Sequence, residues 1–228
     1  RMDVADIAWG LGFPLILWIS FVLSGYSFRS LLVNVLISLW GFRLSSHIFL
    51  RNRNVTEDFR YLAWRKEWKH FYLRSYLQTF LLQGVLIMIV SLPLLGISMS
   101  NYSGELNLLD YAGILIWLIG FMFEAGGDFQ LSRFKRDAKN KGKVLNTGFW
   151  KYTRHPNYFG DSAVWWAYAL LSIAAGSYWQ IIGSIIMTLL IIKVSGVALL
   201  EKTLNKSKPQ YKEYIEKTNS FFPWFPKK

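Results

Sequence analysis

The residues best suited to chemistry lie in "KYTRHPNYFGD", residues 151–161. Arg154 and His155 stand immediately before Pro156, and Asn157, Tyr158 and Asp161 follow at the head of an apolar run. Proline is tolerated in the first turn of a helix, where the amide groups lack intrahelical partners and attract anions. A guanidinium and an imidazole at that point add donors, so the stretch predicts a phosphate or carboxylate site built without a glycine-rich loop. A plainer reading is a polar cap with aromatics at an interface. Four other pairs of ionisable residues fall within or beside apolar runs: Asp3 with Asp6, Arg43 with His47, Glu124 with Asp128, and Lys193 with Glu201. Arg43 and His47, and likewise Glu124 and Asp128, are four residues apart and share a helix face. Each pair has a structural alternative. The aspartates complement a helix start, Arg43 snorkels, and Glu124 and Asp128 mark a span surfacing into water. Taken together they predict one polar region at a common level.

Some chemistries are excluded. No GxGxxG or P-loop motif is present, so a soluble nucleotide-binding fold is not indicated. The chain has no cysteine, hence no disulfide, thiolate nucleophile or cysteine metal site. Its three histidines, His47, His70 and His155, are too far apart in sequence for a local metal motif, and no metal is expected.

The elements that must position these groups are membrane spans. Charged residues are 18% of the chain, against about 25% in soluble domains. They are nearly absent from six stretches: Val4–Leu23, Leu31–Leu50, Tyr76–Ile97, Leu108–Phe123, Tyr158–Ala175 and Gln180–Leu200. About 20 apolar residues cross a hydrocarbon core, and Pro14 and Pro93 are tolerated where neighbouring helices satisfy the backbone. The expected fold is an all-α polytopic membrane helix bundle forming one domain, residues 1–228. The net charge of +12 follows the spans. Seven cations lie in 51–75, eight in 124–157 and seven in the tail 201–228, whereas the intervening loops hold only Arg29. If the chain alternates sides, every basic segment faces the cytoplasm. Nucleic acid is therefore not an expected partner, and the chain itself is expected to be a multi-pass integral membrane protein with its basic loops and C-terminus cytoplasmic. Within the first basic loop, "FRYLAWRKEWKHFY" (59–72) interleaves aromatics with cations, as an interfacial helix or a lid would.

"GFWKYTRHPNYFGD", with "EAGGDFQLSRFK" and "NKGKVLNTG" before it, resembles the membrane steroid 5-alpha-reductase superfamily, in a bacterial branch labelled a domain of unknown function. "DIAWGLGF", "WGFRLSSHIFLRNRN" and "EDFRYLAWR" extend the likeness over nearly the whole chain. The resemblance implies seven spans, one of them before Arg1, and NADPH in a cytoplasm-facing cavity. By position it implies cofactor contacts at Asp128, Lys135, Asn157 and Asp161, and also at Arg43, His47 and Arg53. Lys143 and Arg154 would join Lys135 and Arg53 in holding phosphates, with His155 and Tyr158 beside them. Asp6 falls where the steroid enzymes carry a catalytic glutamate, and Trp40 where they carry its partner tyrosine. Both are departures, as is a tail without the family's histidine, so the substrate is not expected to be a typical steroid.

The implied activity is reduction of a carbon–carbon double bond conjugated to a ketone, in a lipophilic, steroid-like or isoprenoid substrate that enters from the bilayer lipids. A protonated Asp6 would stabilise the charge growing on the ketone oxygen, with Arg43 or Tyr61 as alternative donors. A second resemblance competes. Isoprenylcysteine and phospholipid methyltransferases, which use S-adenosylmethionine, also carry an RHPxYxG stretch, matched by Arg154, His155, Pro156, Tyr158 and Gly160. Their tails usually hold paired glutamates where this chain has Glu201 and Lys202. A non-catalytic lipid-binding or transport protein is the third reading, and ligand binding without turnover would mark it.

Overall fold

The computed structural model describes residues 1–2, 4–54, 56, 59–100, 104–197, 200–201 and 211–227. Among these the chain is helical, with no strand. The helices are α1 (Val4–Ser24), α2 (Phe28–Asn52), α3 (Phe59–Glu67), α4 (Phe71–Val90), α5 (Leu92–Ser98), α6 (Leu108–Arg136), α7 (Pro156–Ala174), α8 (Trp179–Val194) and α9 (Tyr211–Lys217). Of these, α1, α2, α4 and α6 are long and apolar enough to cross a membrane, and α8 is a shorter apolar helix. The fold is the expected all-α polytopic bundle. Asp3 lies outside the described residues, as does the segment 202–210.

Several spans differ from their sequence boundaries; the second runs Phe28–Asn52, and the helix of the sixth ends at Val194 rather than Leu200. The third starts earlier, at Phe71, and is broken at Ser91 because Pro93 opens the short helix that follows. The fourth does not stop at Phe123. It continues to Arg136, where Arg133, Lys135 and Arg136 complement the helix dipole in the last turn. Glu124 and Asp128 are therefore not the end of a span surfacing into water; both are buried within a continuous helix. The fifth starts at Pro156, at the position expected of a first-turn proline.

The chain divides into two compact units, residues 1–105 with 175–183, and residues 106–174 with 184–228. In the first, α1 and α2 run antiparallel at close range. Gly10 and Gly41 face one another, and a Cβ on Gly10 would lie 2.8 Å from the Gly41 carbonyl oxygen. Ser45 Oγ donates to the Ile7 carbonyl at 2.8 Å, and Phe13 meets Trp40 edge to face at 5.7 Å. Pro14 sits inside α1 without ending it.

In the second unit α6 packs along α7. Asn107 caps α6 and forms a reciprocal box with Asp110. Gly113, Gly120 and Gly127 recur every seven residues, two turns apart, and so present one face. That face meets Leu171 and Ala167, then Gly160 and Val164, then Pro156 and Asn157. The register is antiparallel and brings the head of α7 against residues 124–128 of α6. Trp117 Nε1 donates to the Tyr168 hydroxyl at 2.8 Å within this seam.

Candidate functional site

In the second unit, the polar stretch ahead of α7 is fixed residue by residue. The short turn Gly148–Lys151 carries Trp150, whose Nε1 donates to the Gly127 carbonyl at 3.1 Å. Thr153 Oγ1 accepts from the His155 amide at 3.3 Å and lies within hydrogen-bond reach of the Ser220 and Phe221 carbonyls. Its fully buried position ties the start of α7 to the C-terminal tail. The Arg154 amide donates to the Asn219 carbonyl at 2.9 Å, and the Tyr214 hydroxyl donates to the Trp150 carbonyl.

Arg154 and His155 then converge on one carboxylate. Arg154 Nε and Nη2 donate to Glu201 Oε1 at 2.9 and 2.6 Å, and Nη1 donates to the Thr218 and Ile215 carbonyls at 2.6 and 3.1 Å. His155 Nε2 lies 3.2 Å from the same Glu201 oxygen, so the proton on that nitrogen faces the carboxylate. Tyr158 stacks on the far side of the imidazole at 5.7 Å. The anion that the sequence predicted at this helix start is, in this structure, the protein's own Glu201. The Arg154 fork is spent on the chain itself: it pins the tail.

The electrostatics follow from this geometry. The His155 hydrogen bond, with Arg154 behind it, holds the Glu201 carboxyl below its ordinary value, against the opposing effect of burial. Burial pushes the Tyr211 phenol up to about 12, and raises Tyr214 as well. A carboxylate with a lowered pKa adds stability that is present above its unfolded value and lost as pH falls through the folded one. Thermal unfolding is thus expected to soften as pH drops below about 4.5 toward the lowered Glu201 value, and Glu201→Gln is expected to flatten that acid limb. An acid limb unchanged in the variant would place its source elsewhere.

In the first turn of α7, Asn157 Nδ2 donates to Asp128 Oδ1 on α6 at 3.0 Å, while Asn157 Oδ1 is buried without a hydrogen-bond partner among the described residues. Asp161 is half-buried four residues on, on the same face. Beyond the end of α6, Lys135 and Lys143 line an open cavity of about 320 Å³ together with Lys141, Asp137 and Asn140. The structure thus gathers Asp128, Asn157, Arg154, His155 and Tyr158 at the head of α7 and places the two lysines in a separate neighbourhood.

In the first unit, the register of α1 on α2 (Ile7 with Ser45, Gly10 with Gly41, Phe13 with Trp40) sets Asp6 level with Arg43 and His47. Both are half-buried, and Arg43 Nε and Nη2 are themselves buried. Trp40 is fully buried against Phe13, about 9 Å further along the helix from the Asp6 level. Asp6 and Trp40 therefore stand at different levels along the α1–α2 seam, with Arg43 and His47 at the Asp6 level. Arg53 is exposed at the end of α2. The Tyr61 side chain lies outside the described residues.

The sequence singles out Glu201 beside Lys193 and at the methyltransferases' tail position, but not as the shared partner of Arg154 and His155. Its signal was available: it is the first acid after the apolar run of α8. The carbonyls of Ile215, Thr218 and Asn219 carry no side-chain signal at all.

Residues 1–218 match the family described as "Protein of unknown function (DUF1295)". The chain belongs to the DUF1295 family. A relative in Schizosaccharomyces pombe, uncharacterized protein C594.04c, is 23% identical over 222 residues, covering 86% of this chain. The chain spans 63% of that relative's length. No solved structure matches. The DUF1295 match runs through both the Asp6 level and the Arg154–Glu201 hub, so both groups belong to the family's matched region.

Proposed function

We propose that this DUF1295 protein is a membrane oxidoreductase of the steroid 5-alpha-reductase type. It binds NADPH and reduces a carbon–carbon double bond conjugated to a ketone in a lipophilic substrate. The observation that carries the reading is the Asn157–Asp128 pair. The Asn157 amide nitrogen is committed to the carboxylate, and its buried oxygen is an acceptor with no donor among the described residues. An amide-bearing ligand fits that acceptor, because a buried acceptor left unsatisfied costs about 1–3 kcal/mol. Lys135 and Lys143 offer phosphate contacts beside the cavity of about 320 Å³. Arg154 and His155 act from behind, holding the head of α7 on Glu201.

NADPH, when bound, supplies the hydride. The chain's part is to position and to polarise. In the first unit Asp6, in its protonated form, donates to the substrate ketone as negative charge grows there, and Arg43 is the neighbouring cation at its level. Loss of one such donor typically costs roughly 10²–10³-fold in rate. Substrate reaches the site from the bilayer, and the basic segments with the C-terminus lie on the cytoplasmic side.

The deciding experiment is thermal stabilisation of the detergent-purified protein by NADPH, NADH and S-adenosylmethionine in parallel. NADPH is expected to stabilise it, and Asn157→Ala to weaken that binding about tenfold, as loss of one buried hydrogen bond does. Asp6→Asn is expected to abolish enone reduction with the NADPH dissociation constant unchanged. Wild-type turnover in Asp6→Asn would remove Asp6 from the chemistry. One observation favours a second reading: Glu201, at the position where the methyltransferases usually carry glutamates, meets Arg154 and His155. Stabilisation by S-adenosylmethionine alone would select that reading.

A further inference from the structure

The tail that follows α9 exposes its largest apolar groups. Phe222, Trp224 and Phe225 are 71%, 69% and 73% exposed. They are nevertheless held in place. The Trp224 amide donates to the Tyr152 carbonyl at 2.9 Å, the Phe225 ring lies 6.0 Å from Tyr152, and the Lys227 amide donates to the Lys217 carbonyl at 2.9 Å. A contiguous aromatic surface fixed outward marks an interaction site.

Its depth identifies the partner. Phe222 meets Phe159 at 6.1 Å, and Phe159 meets Phe123 at 5.2 Å. Phe123 is the last residue of the uncharged stretch in α6, a helix long enough to cross a membrane, and Glu124 follows it. Phe222 therefore sits near the end of the uncharged stretch of α6, beyond which come the buried Glu124 and Asp128 and then the closing Arg133, Lys135 and Arg136, the zone in which tryptophan is favoured and lysine reaches toward headgroups. Beside them is a cavity of about 390 Å³ lined by Lys151, Lys217, Asn146, Glu213, Tyr214 and Thr218. Glu213 pairs with Lys217 at 2.7 Å and offsets part of that charge, but Lys151 and the neighbouring Lys227 leave the surface cationic. The whole segment 201–228 carries seven lysines against three glutamates.

We propose that this tail is a membrane-seated strap: Phe222, Trp224 and Phe225 lie in the headgroup layer, and the lysine-lined cavity takes the phosphate of an anionic phospholipid. The strap also supplies the Ile215, Thr218 and Asn219 carbonyls that hold Arg154, so lipid seating steadies the head of α7. This holds whether the protein is a reductase or a methyltransferase.

The absence of cysteine makes a clean test possible. Phe225→Cys in the full chain, carrying an environment-sensitive fluorophore, is placed in nanodiscs of phosphatidylcholine with and without phosphatidylglycerol. Quenching by a shallow nitroxide lipid is expected to be strong with phosphatidylglycerol and weaker without it. Adding Lys151→Gln and Lys217→Gln is expected to lower the seated-to-free ratio in the anionic discs about tenfold or more, since each basic residue near such a surface contributes severalfold. Inorganic phosphate is expected to leave the quenching unchanged. A label unquenched in both discs overturns the proposal. So does quenching that neither the anionic lipid nor the lysine substitutions alter, or that inorganic phosphate abolishes.

Discussion

Arg154→Ala is expected to release the C-terminal tail and to destabilise the protein by about 3–5 kcal/mol. The side chain is buried and spends its fork on Glu201 Oε1 and on the Thr218 and Ile215 carbonyls. Removing it leaves a part-buried carboxylate with His155 as its remaining partner among the described residues and strips two carbonyls of their donor. The backbone bond from residue 154 to Asn219 survives the substitution, as do the Thr153 contacts, so the tail frays rather than the bundle. Two readouts separate the effects. The unfolding temperature in detergent is expected to fall on the order of 10 °C. Proteolysis within 215–227 is expected to become fast while α6 and α7 stay protected. Arg154→Lys is expected to rescue little, because one ammonium cannot reach the carboxylate and two carbonyls together. If Arg154→Ala unfolds with its parent and its tail stays protected, the hub is not what holds the tail. If Arg154→Lys restores both, charge alone suffices and the fork is unnecessary.

This role for Arg154 shows where the sequence was readable and where it was not. The spans were legible because charge is excluded from them in runs near the thickness of a bilayer, and the helical class follows from that alone. The end of α6 was not legible. Glu124 and Asp128 read as a helix reaching water, yet they are buried by α7, and the Gly120–Gly160 approach that buries them depends on pairing two segments far apart in sequence. The head of α7 was legible as an anion-holding element from Arg154, His155 and Pro156. The identity of the anion was not, because Glu201 lies 46 residues from His155 and its partner carbonyls belong to the backbone. Likewise Arg43 and His47 were legible as one face by their spacing. That Asp6 stands level with them rather than with Trp40 needed the α1–α2 register, which two small residues, Gly10 and Gly41, set. The Asn157–Asp128 bond was anticipated only as two members of one site.

The same reasoning reassigns the glycine of the RHPxYxG stretch, and a substitution there is expected to have a large structural effect. A Cβ on Gly160 would overlap the Glu124 amide nitrogen and the Gly120 carbonyl oxygen, and would lie 2.8 Å from Glu124 Cβ. Two of these three neighbours are backbone, which cannot rotate away, so α6 and α7 must part. Overpacking in a core that yields only through its side chains costs about 1–3 kcal/mol, and a clash with backbone is expected to exceed that. Gly160→Ala is therefore expected to cost more than about 3 kcal/mol, and Gly160→Val to prevent recovery of folded protein. Gly84 is the internal control. It lies in α4, where a Cβ would meet nothing within 4 Å, so Gly84→Ala is expected to be neutral or stabilising by up to about 1 kcal/mol from helix propensity. Parting α6 from α7 also separates Asp128 from Asn157 and moves Trp150 off the Gly127 carbonyl. Any Gly160→Ala protein that is recovered should thus bind cofactor more weakly than its loss of stability alone explains. Equal unfolding temperatures for Gly160→Ala and Gly84→Ala would mean the two helices are not locked at this crossing, and the glycine would then have to be explained by a ligand approaching it rather than by α6.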